Sequence, residues 1–463
     1  MKNRPNVIVC MCDQLRAFET GCYGNGVVQT PGIDQLATEG IRFEYAVSNN
    51  PVCTPARSAM VSGEYGRSCM PHLGNPTELD EFGKQICAAW PIEEREHLPN
   101  VTMAEQFRDQ GYDTALIGKW HIHPAPGVLG FDYALYPRVN HRHTGQVFVE
   151  NRGDPFPVDG FSVEFENRKV TEYLEKERDK PFFLFYCISP PHMPIADMPE
   201  KYLQMYKPED VPLRENVFIN GNMAYDEEWF RIYLWDFLYY SKRLKHTTES
   251  LPKGFDLRSL TALYYGAVSW VDTMVRGMVD ALKRNGMYDN TIIIFTADHG
   301  DNLGSHHRFN KNILIDESIR VPLVMRGPGV RVCNNKSHVA ELVDIMPTAL
   351  DLCGLEIPSH CQGDSLLPVI QGVVPKLVEN GGFIETRAGE IGIRTPDYLY
   401  GMQIDTQTGA IAERPKLLYH TACDPFELEN LANTGAKRDA EENLRDRLLA
   451  WHESTPRLSD SGS

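Results

Sequence analysis

The chain of 463 residues has no apolar run approaching the roughly 20 residues that a membrane-spanning helix needs, so nothing in it reads as a membrane segment. It also lacks a Lys/Arg tract. With 46 basic against 63 acidic residues the formal charge is -17, which repels a phosphate backbone and excludes a basic stripe for nucleic acid. An anionic substrate must therefore meet local cations rather than a basic surface. The 11 cysteines are an odd number without regular spacing and without a C-x2-C pair, so neither a disulfide framework nor a zinc finger is read. Internal repeats are absent as well. Lys2 and Arg4 precede the apolar stretch Val7-Ile8-Val9-Cys10-Met11-Cys12, but Asp13 interrupts it below signal-peptide length and no small-residue cleavage site follows. The stretch reads as a first core strand. The chain as given reads as cytoplasmic, or as periplasmic or secreted if a leader has been removed.

What is present is an ordinary globular composition, 42% hydrophobic with a mean hydropathy of -0.36. Single cores stop growing at roughly 250 to 300 residues, so this length predicts a large core with a smaller satellite. Five short apolar runs, at 6–12, 113–118, 181–189, 291–298 and 321–326, have the length and β-branched or aromatic content of buried parallel strands. Helical patterns lie between them. Thr30 and Pro31 give an N-cap and first-turn proline with Gly40 beyond, Thr102 with Glu105 makes a capping box, and Leu260 to Leu282 recur at helical spacing. The alternation predicts an α/β sandwich with a mostly parallel central sheet. After residue 376 short strand-like pieces follow one another at 383–386, 391–394, 398–404 and 417–420, then Leu444, Leu448 and Trp451 suggest a last helix. This divides the chain into a catalytic domain at 1–375 and a smaller antiparallel-sheet domain with a helix at 376–463.

Polar, chemistry-bearing residues fall directly after the expected strands: Asp13, then Lys119 and His121, then His192, then Asp298 and His299. In open parallel sheets ligands bind beyond the carboxyl ends of the strands, so these residues should converge on one rim. Two motifs sharpen that expectation. Cys53-Thr54-Pro55-Ala56-Arg57, followed by Val61-Ser62-Gly63, and the segment Gly111-Tyr112-Asp113-Thr114-Ala115-Leu116-Ile117-Gly118-Lys119-Trp120-His121 resemble the two signatures of the type I sulfatases, in the alkaline-phosphatase-like superfamily. Ser62 stands where the family more often has Thr, Ala or Arg. The likeness extends over nearly the whole chain, including 291–322 and the C-terminal element at 424–431.

The resemblance implies a sulfuric ester hydrolase whose Cys53 is oxidised to formylglycine, the aldehyde hydrate of which attacks sulfur. It implies a partner enzyme for that oxidation, either formylglycine-generating or an anaerobic sulfatase-maturating enzyme. Metal ligands carried over are Asp13, Gln14, Asp298 and His299, with the modified Cys53. Asp13-Gln14 departs from the two-Asp form of many sulfatases and matches some bacterial members and the phosphonate monoester hydrolases. Oxygen-rich ligands favour Ca2+, while the imidazole leaves Mn2+ or Mg2+ open. Arg57, Lys119, His192 and Lys311 would contact the sulfate group. His192 is assigned as general acid and His121 as the group assisting hydrate breakdown, an order that could be reversed. Trp120 is assigned to core packing, and His72, His123 and His307 to structural or pocket-lining roles. The patch Arg138, His141, Arg142 and His143 either contacts an acidic or sulfated sugar or is a solvated loop, and irregular stretches at 64–100 and 122–165 would wall the pocket. A sulfated carbohydrate or small-molecule sulfate ester is the expected substrate. The alternatives are a choline sulfatase, a phosphonate monoester or phosphodiester hydrolase, and a non-catalytic sugar-binding protein if Cys53 stays unmodified.

Overall fold

The computed structural model describes residues 4–458 except 80–84, 89, 139–141, 219, 224–227, 240–250 and 407. Its strands, in chain order, are β1 (Asn6–Asp13), β2 (Ile41–Val47), β3 (Thr77–Leu79), β4 (Gln85–Ala88), β5 (Asp113–Gly118), β6 (Tyr133–Pro137), β7 (Val147–Glu150), β8 (Phe156–Pro157), β9 (Phe182–Pro191), β10 (Thr291–Ala297), β11 (Leu323–Arg326) and β12 (Cys333–Glu341), followed by β13 (Gly382–Thr386), β14 (Glu390–Arg394), β15 (Leu399–Ile404) and β16 (Ile411–Tyr419). Ten of them form one mixed sheet in the order β12-β2-β11-β10-β1-β9-β5-β6-β7-β8. β13 to β16 make a separate antiparallel sheet, and β3 pairs with β4. No helix among the described residues is long and apolar enough to cross a membrane.

The centre of the large sheet, β10-β1-β9-β5, is parallel throughout, with Val9 beside both Ile294 and Phe185. Consecutive residues Val7 to Cys12 are all fully buried, so both faces of β1 are covered; this is why its sequence is continuously apolar rather than alternating. Helices Ser162–Leu174 and Leu257–Arg284 pack together, and Cys53–Ser62, Met103–Asp109 and Ile345–Leu352 form a second group. The capping box at Thr102 and Glu105 forms as expected. Thr30 does precede a helix, Pro31–Thr38, but its hydroxyl makes no cap; it accepts instead from the Gly21 amide at 2.8 Å.

The fifth apolar run is not parallel. It contributes β11, which lies antiparallel to both β10 and β2. The chain between β10 and β11 carries only short helical turns and no crossover helix, so it re-enters the sheet from the rim it left and must run backwards. The stretch 122–165, expected to be irregular, holds β6 and β7 at the sheet's far side. Each is only four or five residues long and buries consecutive positions rather than alternating ones, too short a signal to separate from loop.

The small sheet and the last helix, Arg438–Ser454, lie against the large unit through specific contacts. Arg67 Nε is 2.5 Å from Glu385 Oε2, Asn50 Nδ2 donates to the Glu385 carbonyl at 2.6 Å, and Arg394 Nε meets Asp316 Oδ1 at 2.8 Å. Trp451 of the last helix meets Phe383 of β13 and Tyr65 of the large unit, with ring centroids 5.3 and 5.2 Å away.

Candidate active site

Four adjacent strand ends, of β10, β1, β9 and β5, and one helix start build the site. At the end of β1 the register against β9 shifts between Cys12 and Asp13, and Gln14 takes a positive φ of 65°, which turns Asp13 and Gln14 onto the rim. At the end of β5, Gly118 sits at φ 101°, and a Cβ there would lie 1.9 Å from the Cys187 carbonyl oxygen of β9. Only glycine fits that approach, and the turn it permits sends Lys119 inward. The helix Cys53–Ser62 is buried along its whole length and begins at Cys53 itself. Pro55 falls in its first turn, where amides have no intrahelical partner, and Gly63 ends it in a left-handed conformation. Cys53 therefore sits at the positive end of the helix dipole.

Asp13, Cys53, Asp298 and His299 each present a ligand atom, and all four atoms lie within 4.8 Å of one another. Cys53 Sγ is 3.3 Å from His299 Nε2, 3.5 Å from Lys311 Nζ and 3.9 Å from Asp13 Oδ1. Arg57 Nη2 is 2.9 Å from both Asp13 Oδ2 and Asp298 Oδ2, while its Nη1 donates to the Lys119 carbonyl at 2.7 Å. Lys119 Nζ reaches Asp13 Oδ2 at 2.5 Å. Gln14 is tied in at several atoms: its amide N–H donates to Asp298 Oδ1 at 3.1 Å and its side-chain oxygen accepts from Lys311 Nζ at 2.8 Å. Its side-chain nitrogen donates to Asp301.

Charge compensation sets the protonation states. Burial and Asp13 push the Cys53 thiol up, but Lys311, Lys119 and His299 outweigh them and hold it well below the usual thiol range. Burial likewise opposes ionisation of Asp13, yet Lys119, His192, Arg57 and Lys311 keep its carboxyl well below the ordinary value. Asp298 goes the other way, raised by burial and by the neighbouring Asp13 charge. Two carboxylates facing each other with a third acceptor between them form a site for a cation. Oxygen and imidazole donors at this spacing, buried and already requiring positive charge, fit the divalent metal, which Asp13, Gln14, Asp298 and His299 would hold.

His121 and His192 flank this cluster. His121 is buried at a positive φ of 55°, its carbonyl accepts from Thr54 Oγ1 at 2.7 Å, and no protein group satisfies either ring nitrogen. Burial lowers its proton affinity. His192 Nδ1 donates to the Met193 carbonyl at 2.7 Å, which fixes the orientation of the ring, and its charge acts on Asp13.

Every residue expected at the site by sequence is thus brought to this rim. The basic patch divides differently: His141 lies outside the described residues, Arg142 is exposed, and Arg138 stacks over Trp90 with its guanidinium carbon 5.3 Å from the ring centroid. His143 is buried, not solvated, and its Nε2 bonds the His192 carbonyl at 3.1 Å. Trp120 packs in the core and donates to the Pro124 carbonyl at 2.8 Å. Sequence reasoning missed Asp301 as a support for Gln14, although Asp298-His299-Gly300-Asp301 was readable as a turn that could carry it. It also missed Asn75, whose Oδ1 accepts from the Thr54 amide at 3.1 Å, and Tyr264, which donates to the Gln14 carbonyl at 2.6 Å. Both come from segments with no motif, so only the fold could find them.

A family model described as Sulfatase matches residues 5–355. An ulvan-active sulfatase of Formosa agariphila is 29% identical over 457 residues, covering 92% of this chain and 77% of that protein. An N-acetylglucosamine-6-O-sulfatase of Bacteroides thetaiotaomicron is 27% identical, covering 80% of this chain and 71% of its own length. The solved structure of the yidJ sulfatase from Bacteroides fragilis superposes with a TM-score of 0.75 at 25% identity, covering 98% of this chain and 97% of that one.

Proposed function

Because the chain belongs to the sulfatase family, we propose that it hydrolyses a sulfate monoester of a carbohydrate, with formylglycine made from Cys53 as nucleophile and a divalent cation beside it. The observation that carries this reading is the meeting of Asp13, Asp298, His299 and Cys53 within 4.8 Å, enclosed by Arg57, Lys119 and Lys311. The two relatives named above act on polysaccharide or amino-sugar sulfates by their names, which supports a saccharide substrate here.

Formylglycine supplies a hydroxyl nucleophile in hydrated form, and its formation needs a maturation enzyme. The cation, with Ca2+ the first choice for this oxygen-rich set and Mn2+ or Mg2+ the alternatives, supplies Lewis-acid polarisation of the ester oxygens. The chain's own residues do the rest. Lys311, 3.5 Å from Cys53 Sγ, whose place an oxygen of the hydrate would take, and Lys119, bound to Asp13, offer fixed positive charge to sulfate oxygens. Arg57 is already locked between Asp13 and Asp298, so it orders the carboxylates and does not need to reorganise as charge develops. His192 donates a proton from Nε2 to the departing sugar oxygen, its ring orientation fixed by the bond from Nδ1 to Met193. His121, whose ring nitrogens have no protein partner, takes a proton from the hydroxyl at position 53.

The test is sulfate release by protein matured in a host with an active formylglycine system, on sulfated saccharides, an aryl sulfate, choline sulfate and a phosphodiester. Preference for saccharide sulfates, loss of activity with a chelator and a tryptic peptide carrying formylglycine at 53 are expected. A peptide retaining the thiol in active protein, or turnover favouring the phosphodiester, would end the proposal.

A further inference from the structure

Beyond the sulfate-ester centre, a second group of metal-ligating side chains gathers two residues past His121. Glu96, His97 and His123 each offer one ligand atom, and the three atoms lie within 4.8 Å of one another. His123 Nδ1 is 3.1 Å from Glu96 Oε2. The rings of His97 and His123 stack with centroids 5.6 Å apart and planes 25° from parallel. His97 is only 8% exposed, yet its Nδ1 has no hydrogen-bond partner. A buried imidazole nitrogen left without a partner is costly, and it faces a neighbourhood of further imidazoles, since His72 stands near enough to act on His97 electrostatically.

The two segments that carry these residues are already held together. The Ile92 amide donates to the His123 carbonyl at 2.8 Å, and the Ala125 amide donates to the Ile92 carbonyl at 2.7 Å. Ligands from different loops are thus set side by side without any ion.

We propose that His97, His123 and Glu96 form a second cation site, selective for a borderline transition-metal ion of the Zn2+ class, with His72 or water completing the coordination. Two imidazoles and one carboxylate are the donors such ions take, with bonds of about 2.0 to 2.1 Å and ligand atoms about 3.4 Å apart in a tetrahedral site. The ligands need to close by up to about 1.4 Å to reach that spacing. Glu96, with 53% of its side chain exposed, and His123, with 21%, are free to supply the movement, whereas buried His97 stays in place. The donor set separates this site from the oxygen-rich centre at Asp13 and Asp298, where a hard cation is favoured. An ion here ties residues 92–98 to residues 121–125, the segment that begins with His121, and stiffens it.

The experiment is metal content, which does not depend on the sulfatase reading. Wild-type protein is loaded with Zn2+ in excess Ca2+, dialysed against Ca2+ buffer and analysed for zinc, alongside His123→Ala, Glu96→Gln and His97→Ala. A parallel Co2+ loading reads the coordination geometry by visible absorption. One retained zinc per chain in the wild type, lost in His123→Ala and weakened in Glu96→Gln, with a tetrahedral Co2+ spectrum that disappears with it, is the expected result. If His97→Ala fails to fold, the other two substitutions, at more exposed positions, still decide. Equal zinc in wild type and variants would place the ion at Asp13, Asp298 and His299 and overturn the proposal, as would no retained zinc in any. Sulfate-ester turnover in Ca2+ buffer reports the other centre separately.

Discussion

At the scale of single residues, the site is a set of charges that stabilise one another in a largely buried place. Asp13 is ionised because Lys119, Arg57 and Lys311 surround it, and Cys53 is acidic for the same reason. The two histidines differ in kind. His192 is oriented by the bond from Nδ1 to a backbone carbonyl, while no protein group satisfies either ring nitrogen of His121. General acid catalysis matters most when the leaving group is a poor one. His192→Ala should therefore cost about 10²- to 10⁴-fold in turnover of a sugar sulfate and no more than about tenfold with an activated aryl sulfate. Comparing kcat for the two esters checks this, and equal losses would remove His192 from the acid role. The motifs exposed most of these residues in the sequence, because Cys53 and Arg57 keep fixed offsets from a helix start and Lys119 directly follows a strand end. Asn75 and Tyr264 were not exposed, since each acts through a backbone group and a hydrogen bond to the main chain leaves no pattern of its own.

At the scale of elements, strand ends aim the chemistry. Gly118 is the pivot between β5 and Lys119. Gly118→Ala puts a Cβ into the Cys187 carbonyl at a φ that L-residues avoid, so it should destabilise by more than about 1 kcal/mol and displace Lys119. Denaturant unfolding together with KM for the sulfate ester checks both effects. The pair of helices Pro31–Thr38 and Leu257–Arg284 gives a pH prediction. Asp272 of the long helix accepts from the Ile33 amide at 2.8 Å, and burial pushes its carboxyl up to about 6. A raised acid in the folded state means that the unfolded chain loses its proton first, so stability falls as pH rises from about 4 to about 6. Asp272→Asn keeps the acceptor and removes the titration. Relative to wild type it should gain up to about 3 kcal/mol between pH 4 and 7, measured by chemical denaturation at the two pH values. The parallel strands were legible as apolar runs. The direction of β11 was not, because a short apolar strand reads the same whichever way it enters a sheet.

At the scale of the whole molecule, the antiparallel sheet brings residues to the mouth of the site from far along the chain. Arg387 lies in the turn between β13 and β14, and its amide donates to Asn312 Oδ1 at 2.8 Å, one residue from Lys311. Its guanidinium is exposed beside Gly74 and, among the described residues, makes no ion pair. On a chain of net charge -17, a cation left uncompensated at this entrance suits a second anionic group on the substrate. Arg387→Ala should raise KM severalfold for a sulfated saccharide bearing another sulfate or a carboxylate and leave KM for a small aryl sulfate unchanged. Steady-state kinetics on the two substrates decide it, and a parallel change in both would count against the assignment.

The sequence by itself determined the α/β class and which residues stand at the strand ends and around Cys53, because burial on both faces and fixed local offsets leave marks within a short window. Tertiary structure alone decided that β11 runs backwards, that His143 is buried and bonded to the His192 carbonyl, that Arg387 stands beside Asn312, and that Glu96, His97 and His123 come together. Those facts depend on which distant segments the packed sheet brings together, and contacts between residues far apart along the chain have no signature in either one's local sequence.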